Sequence, residues 1–179
     1  VVGSNTVTLS SGATYDVGRV GRAFRFNGVD GQAALPSQPV ANLLASTFSI
    51  EFWATANAGT ARPSFGFTGS SSQNTTNPIV SYASGVTIGN GGGGTQVLPA
   101  LPLASAGAWT HYAIVDDGTH YRIYVNGVNT SSNVIAIHPA SAGNRTFVLG
   151  QSGFPGGFTQ WFNGRIDEFT IYDRGLSAA

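Results

Sequence analysis

The chain reads as an all-β protein, an antiparallel β-sandwich, and three observations in its 179 residues predict that. Short runs of alternating apolar and polar residues recur, the period-two pattern of half-buried strands. Gly, Pro, Asn and Asp punctuate these runs, as the turns between sandwich strands require. No long stretch repeats apolar residues at helical spacing. Helix is therefore expected only in short turns, such as one after Asp173, whose side chain suits an N-cap.

Taken in order, Phe24-Arg25-Phe26 is a strand that stops at Asn27-Gly28, a pair that tolerates the positive φ of a tight turn. Phe48 to Ala54 alternates cleanly, with Phe48, Ile50, Phe52 and Ala54 on one face and Ser49, Glu51 and Trp53 on the other. Thr55 to Asn77 is rich in Ser, Thr, Asn and Gly and offers only Phe65-Gly66-Phe67 as a strand. A long loop inside a compact domain is usually functional or mobile. Ile79 to Tyr82 and Val86 to Ile88 are short strands. Trp109 to Asp116 and Tyr121 to Asn126 flank Asp117-Gly118, and Asn126-Gly127 turns the chain again, which makes a meander. Val134 to Ile137 and Phe147 to Gly150 add two strands before the terminal one, which starts at Trp161. Phe48, Ile50, Phe52, Ile114, Ile123, Val125, Leu149, Phe169 and Ile171 are the expected core.

This length suits one sandwich domain over residues 1–179, able to bury roughly 70% of its unfolded surface. Cysteine is absent, which excludes a disulfide framework and any thiolate metal site. The basic residues are all arginine, the formal net charge is zero, and only 9% of residues are charged, against a usual ~25%. A nucleic-acid footprint would need a basic stripe that this chain lacks. The longest apolar run, Val97 to Ala104, is broken by Pro99 and Pro102 and falls far short of the ~20 residues of a membrane span. With no methionine and no signal-like segment, the chain reads as a module of a larger extracellular or cell-surface protein, covalently linked to other domains.

Enzymatic constellations are missing. Gly89 to Gly94 fits the spacing of a dinucleotide loop, yet a strand-like run stopped by Pro99 follows where a helix is needed. His111, His120 and His138 lack the helical pair spacing of a zinc site. Asp167-Glu168 are adjacent and Asp116-Asp117 sit in a turn, so neither pair offers the two carboxylates that flank a glycosidic bond.

Four segments carry a family resemblance. They are Gly21 to Gly28, the Trp-bearing strand Phe48 to Trp53, the Trp-x-His hairpin Trp109 to Val128, and the closing Gly164-Arg-Ile-Asp-Glu168 run that leads to Leu176. In this order they resemble the laminin-G-like, concanavalin-A-like jelly-roll superfamily. The resemblance implies a recognition module rather than an enzyme, because catalytic relatives carry a Glu-x-Asp-x-x-Glu strand that is missing here. It also implies one structural calcium ion, where the closing segment meets the early turn, held by Asp167, Asn27, the Gly28 carbonyl and Asp30; the alternative is that Asp167 pairs with an arginine or accepts backbone N–H bonds. Residues 55–105 follow no family pattern.

The expected binding surface centres on Trp161. It follows a glycine-rich loop able to display Phe154 and Phe158, with Gln151 beside it and Arg62 and Tyr82 facing it from the variable segment; the alternative is that Phe154, Phe158 and Trp161 fold back as a lid over the core. Rings stack on the C–H faces of sugars while amide and guanidinium donors meet hydroxyls. The expected partner is a glycan; a surface protein met by an adhesion or virion-attachment module, or a spacer without ligand, are the alternatives.

Overall fold

The computed structural model describes residues 6–68, 78–92, 94–139, 145–153 and 159–177. In chain order the strands are β1 (Thr8–Leu9), β2 (Ala13–Val17), β3 (Arg22–Asn27), β4 (Ala33–Leu35), β5 (Phe48–Ala56), β6 (Thr60–Ala61), β7 (Phe65–Thr68), β8 (Ile79–Tyr82) and β9 (Gly85–Gly89). They continue as β10 (Thr95–Leu98), β11 (Ala104–Ser105), β12 (Thr110–Asp116), β13 (His120–Val125), β14 (Val128–Val134), β15 (Thr146–Leu149), β16 (Gln151–Gly153), β17 (Thr159–Trp161) and β18 (Asn163–Tyr172). One seven-stranded sheet runs β1-β4-β15-β7-β8-β9-β10 and a second runs β14-β13-β12-β5-β18-β3-β2. Two small ribbons, β6 with β11 and β16 with β17, stand beside them. The named strand pairs are antiparallel, so the expected all-β antiparallel sandwich is what the chain forms.

The core lies between the two large sheets. Phe26, Phe48, Phe52, Phe65, Phe67, Tyr112, Tyr121, Phe147 and Phe162 are fully buried in it. Phe52 stacks on Tyr112 at 5.3 Å and meets Phe65 edge-on at 5.5 Å, the two geometries that ring quadrupoles favour. The phenols remain satisfied: Tyr112 donates to the Pro102 carbonyl at 3.0 Å and Tyr121 to that of Ile137 at 2.8 Å. Of the expected core residues, Val125, Phe169 and Ile171 are partly buried against this cluster and the rest lie inside it.

Three local expectations change. Among the described residues the helix is α1 (Ser37–Leu43), entered through Pro36 and carrying Pro39 in its first turn, where the missing N–H groups have no intrahelical partner anyway. Val40 and Leu44 anchor it to the core. After Asp173 the chain stays non-helical, because buried Ser49 holds it: Ser49 Oγ donates to the Arg174 carbonyl at 2.9 Å and accepts the Leu176 N–H at 2.8 Å. Residues 135–137 leave the sheet, since Gln96 Oε1 accepts the N–H groups of Ala136 and Ile137 at 2.9 and 3.2 Å in place of a strand. The Gly89–Gly94 segment is the turn of the β9–β10 hairpin, with Asn90 Oδ1 accepting the N–H groups of Gly92 and Gly94 at 3.0 Å.

Candidate functional site

Trp161 sits on the β16–β17 ribbon. Gly150 aims that ribbon, with φ of +85° and a backbone pressed on the Phe26 ring so closely that a Cβ would clash with it. The Gly150 N–H donates to the Ser64 carbonyl and its own carbonyl accepts the Phe162 N–H, both at 2.9 Å. The ribbon therefore leaves the sandwich as a fixed flap beside β7 and β8. Gln151 and Trp161 are direct cross-strand partners, which puts both side chains on one face of the ribbon. Trp161 is half-buried, and among the described residues no ring or guanidinium stacks on it.

The other residues expected at this surface differ in access. Gln151 is only 7% exposed, and its side-chain amide makes no hydrogen bond among the described residues. Tyr82 ends β8 and is 8% exposed; burial pushes its phenol up to about 12. Tyr82 is thus a largely buried ring rather than an open one. Arg62 follows β6 and is half-buried. Phe154 and Phe158 lie outside the described residues.

The donors expected for calcium do not fit one ion. Asn27 Oδ1 already accepts the N–H groups of Val29, Asp30 and Gly31 at 2.9, 3.1 and 3.1 Å, and its amide donates to Asp30 Oδ1 at 2.7 Å. Gly28 supplies the positive φ of this turn, at +77°. Asn27 pairs with Asn163 in the sheet, so Asp167 stands four residues further along β18, roughly 13 Å away at ~3.3 Å per residue. There Asp167 Oδ2 accepts the Val20 N–H and Oδ1 that of Glu168, both at 2.9 Å. The backbone-bonding alternative describes Asp167. Among the described residues no three His, Asp or Glu side chains cluster as a metal site.

A second cluster escaped the sequence reading. On the face of the second sheet turned away from the core, Glu51, Trp53, His111, Ala113 and Tyr124 come together through the registers Trp53–His111, Glu51–Ala113 and Ala113–Tyr124. The Trp53 and His111 rings lie 5.0 Å apart, and the Arg19 guanidinium covers Trp53 at 3.9 Å. His111 Nε2 faces Glu51 Oε2 at 3.4 Å, and the Tyr172 hydroxyl donates to Glu51 Oε1 at 2.8 Å. That bond, with some burial, raises the Tyr172 pKa. Glu51, His111, Ala113 and Tyr124 border a cleft of about 330 Å³ whose further lining is Val115, Gly127, Leu176 and Ser177. Strand parity had placed Glu51 and Trp53 together. Their meeting with His111, Tyr124 and Tyr172 depends on strand order, which no local pattern carries. Trp109 immediately precedes β12, with Arg165 over it at 5.6 Å.

Among solved structures, the fold matches domain 4 of AbnA, a GH43 extracellular arabinanase from Geobacillus stearothermophilus, solved with arabinotriose. Identity is 23%, the TM-score is 0.69, and the match covers 97% of this chain and 84% of that one. The binding domain of Paraclostridial Mosquitocidal Protein 1 matches at 16% identity and a TM-score of 0.66, over 97% of this chain and 45% of that one. The binding domain of botulinum neurotoxin DC, solved with SialylT, matches at 14% identity and a TM-score of 0.61, over 97% of this chain and 44% of that one. The chain thus spans under half of each toxin chain, and at such identities the likeness establishes the fold. No match was found among the curated proteins. Residues 27–179 match the family described as the concanavalin A-like lectin/glucanases superfamily, and the chain belongs to it.

Proposed function

We propose that the domain is a non-catalytic recognition module that binds a carbohydrate, working outside the cell as part of a larger polypeptide. The observation that carries this reading is the cross-strand pair of Trp161 and Gln151 on one face of a fixed flap. Among the described residues it offers a ring with no stacking partner beside a side-chain amide that makes no hydrogen bond. An amide can both donate to and accept from a ligand hydroxyl. Trp53, by contrast, is already covered by Arg19 at 3.9 Å. The match to an arabinanase domain solved with arabinotriose points the same way.

A catalytic role has less support in the geometry. Asp167 pairs with Trp53 next to Glu51 on β5, but both of its oxygens accept backbone N–H groups and it is buried. It is therefore not poised to act with Glu51 as an acid–base pair across a sugar bond. Among the described residues no helix is long and apolar enough to cross a membrane.

Glycan binding is expected at millimolar to micromolar affinity, about −4 to −8 kcal/mol. Trp161→Ala should weaken it at least tenfold on a glycan array or by fluorescence titration, with the melting temperature unchanged. If that variant melts far below the parent, Trp161 is a packing residue and the site lies elsewhere. An adhesion reading has one observation of its own, an apolar cleft of about 300 Å³ bordered by Leu35, Pro39, Val40, Leu43, Phe169 and Ile171. It takes the lead if no glycan binds at millimolar concentration.

A further inference from the structure

The cleft on the outer face of the second sheet is a built feature rather than a gap between loose side chains. Its far wall is the chain end, which Ser49 pins across the sheet through the bonds to Arg174 and Leu176. Under that wall, Ala113 and Val115 form an apolar floor that is almost wholly buried although it faces away from the core. Tyr124 stands at one side and is half-buried. The rim at Gly127 is set by a tight turn, with φ of +49° at Asn126 and +80° at Gly127. Asn126 Oδ1 accepts the His111 N–H at 2.9 Å, which ties this turn to β12.

Within this frame Glu51 is held in place before any ligand arrives. Tyr172 donates to one oxygen and His111 faces the other, and His111 is in turn backed by Trp53, which Arg19 covers. Such preorganisation lowers the ordering cost of binding. The Glu51 and His111 side chains remain 29% and 22% exposed, so both can reach a ligand. A carboxylate offers acceptor sites beyond the two contacts it already makes, and the imidazole offers a donor or an acceptor according to its tautomer. An apolar floor, a ring at the side, and an acceptor and a donor a few ångströms apart match one face of a neutral sugar ring: C–H groups below, hydroxyls at the edge. A cation would favour a bare carboxylate, whereas this one is already bonded to a phenol. An acidic sugar would bring a second carboxylate against Glu51, a like-charge contact that is disfavoured.

We propose that this cleft is a second carbohydrate subsite, taking one neutral sugar residue through Glu51, His111 and Tyr124. It shares no residue with the Trp161 flap. It rests on the glycan-binding reading only in the class of ligand.

The test is amide shift mapping of the 179-residue chain, titrated to millimolar concentration with arabinotriose and cellotriose as neutral probes, sialyllactose as the acidic probe, and lysine methyl ester as the cationic one. A neutral trisaccharide is expected to move the amides of Ala113, Tyr124 and Gly127, and sialyllactose to move them at least tenfold less at equal concentration. Glu51→Gln should weaken the effect about tenfold while the melting temperature holds; Trp161→Ala should leave it intact. If only the amides of Gln151 and Trp161 move, this proposal fails and the flap reading stands. Movement confined to the cleft supports the proposal and removes the flap. Cleft shifts with lysine methyl ester but no sugar would make it an ammonium site and overturn the proposal, as would unchanged binding by Glu51→Gln or silence from both neutral probes.

Discussion

Asp116 and Asp117 are neighbours with opposite electrostatic fates. Asp116 ends β12 on the core side, paired with Phe48 and Tyr121, and its side chain is buried. Its Oδ1 accepts the Gly118 N–H at 2.8 Å, whereas among the described residues Oδ2 has no hydrogen bond and faces His138 Nδ1 at 4.0 Å. Burial raises its pKa, against the lowering effects of the Gly118 bond and His138. Asp117 turns outward and accepts from the Thr119 hydroxyl, the Thr119 and His120 N–H groups and Arg122 Nε at 2.7 to 2.9 Å. Those donors, led by the Thr119 hydroxyl, hold it well below the usual carboxylate range. The two therefore respond to pH in opposite senses. Asp117 stabilises above the unfolded value of 3.8, and its contribution is lost as pH falls. Ionised Asp116 costs stability, which falls as pH rises from 3.8 through its raised pKa. Asp116→Asn is expected to stabilise the domain at pH 7 on the order of 1–3 kcal/mol, the scale of a buried unsatisfied group. In thermal melts the gain should disappear towards pH 3, where Asp116 is protonated in both states.

At the scale of the element, β18 turns on one extra residue. Asp167 pairs with Trp53 and Thr170 with Glu51, so Glu168 and Phe169 together oppose Phe52. Glu168 takes φ of +50° to make this bulge. Strict alternation would put Asp167, Phe169 and Ile171 on the same face. The bulge instead turns Phe169 and Ile171 towards the core behind Ile166 and leaves Asp167 outside, where it accepts the N–H of Glu168, the bulged residue itself. A β-branched side chain is poorly tolerated at positive φ. Glu168→Val should therefore cost about 1–3 kcal/mol in urea unfolding, and Glu168→Gly should be close to neutral. Deleting Glu168 would remove the extra residue and leave Phe169 and Ile171 facing the core under plain alternation, so the variant is expected to stay soluble and melt cooperatively; a deletion variant that fails to fold would contradict this account of β18.

At the scale of the molecule, backbone and side-chain hydrogen bonds fix both the early turn at Asn27 and the closing strand β18. The turn at Asn27 is stitched to the first strands by Ser10, which donates to the Asp30 carbonyl at 2.7 Å and accepts the Gln32 N–H at 2.9 Å. The closing strand is held to the Gly18–Val20 loop by Asp167 and to β5 along most of its length. A ligand that binds only the native state stabilises by mass action, so a calcium ion linking these segments would make the melting temperature fall in excess chelator. With the donors already occupied and Asp167 four register positions from the Asn27 partner, the expectation is an unchanged melting curve with and without chelator. A drop of several degrees would show that an ion orders one of these turns.

The sequence by itself determined the all-β class, strands at Phe24 to Phe26, Phe48 to Ala54, Trp109 to Asp116 and Tyr121 to Asn126, which the structure gives as Arg22–Asn27, Phe48–Ala56, Thr110–Asp116 and His120–Val125, and the turns at Asn27-Gly28, Asp117-Gly118 and Asn126-Gly127, because alternation and turn chemistry act between residues a few positions apart. It also separated Glu51 and Trp53 from Ile50 and Phe52, since parity alone sorts the two faces of a strand. Tertiary structure decided what crosses from one strand to another. β5 lies between β12 and β18, and β15 between β4 and β7; these neighbours are chosen by packing and hydrogen-bond closure over long separations. Only that choice brings Glu51 to His111 and Tyr172, moves Asp167 away from the Asn27 turn, and lays the end of the chain over Ser49. Each depends on register between distant segments, and a period-two pattern is the same in every register that keeps its faces.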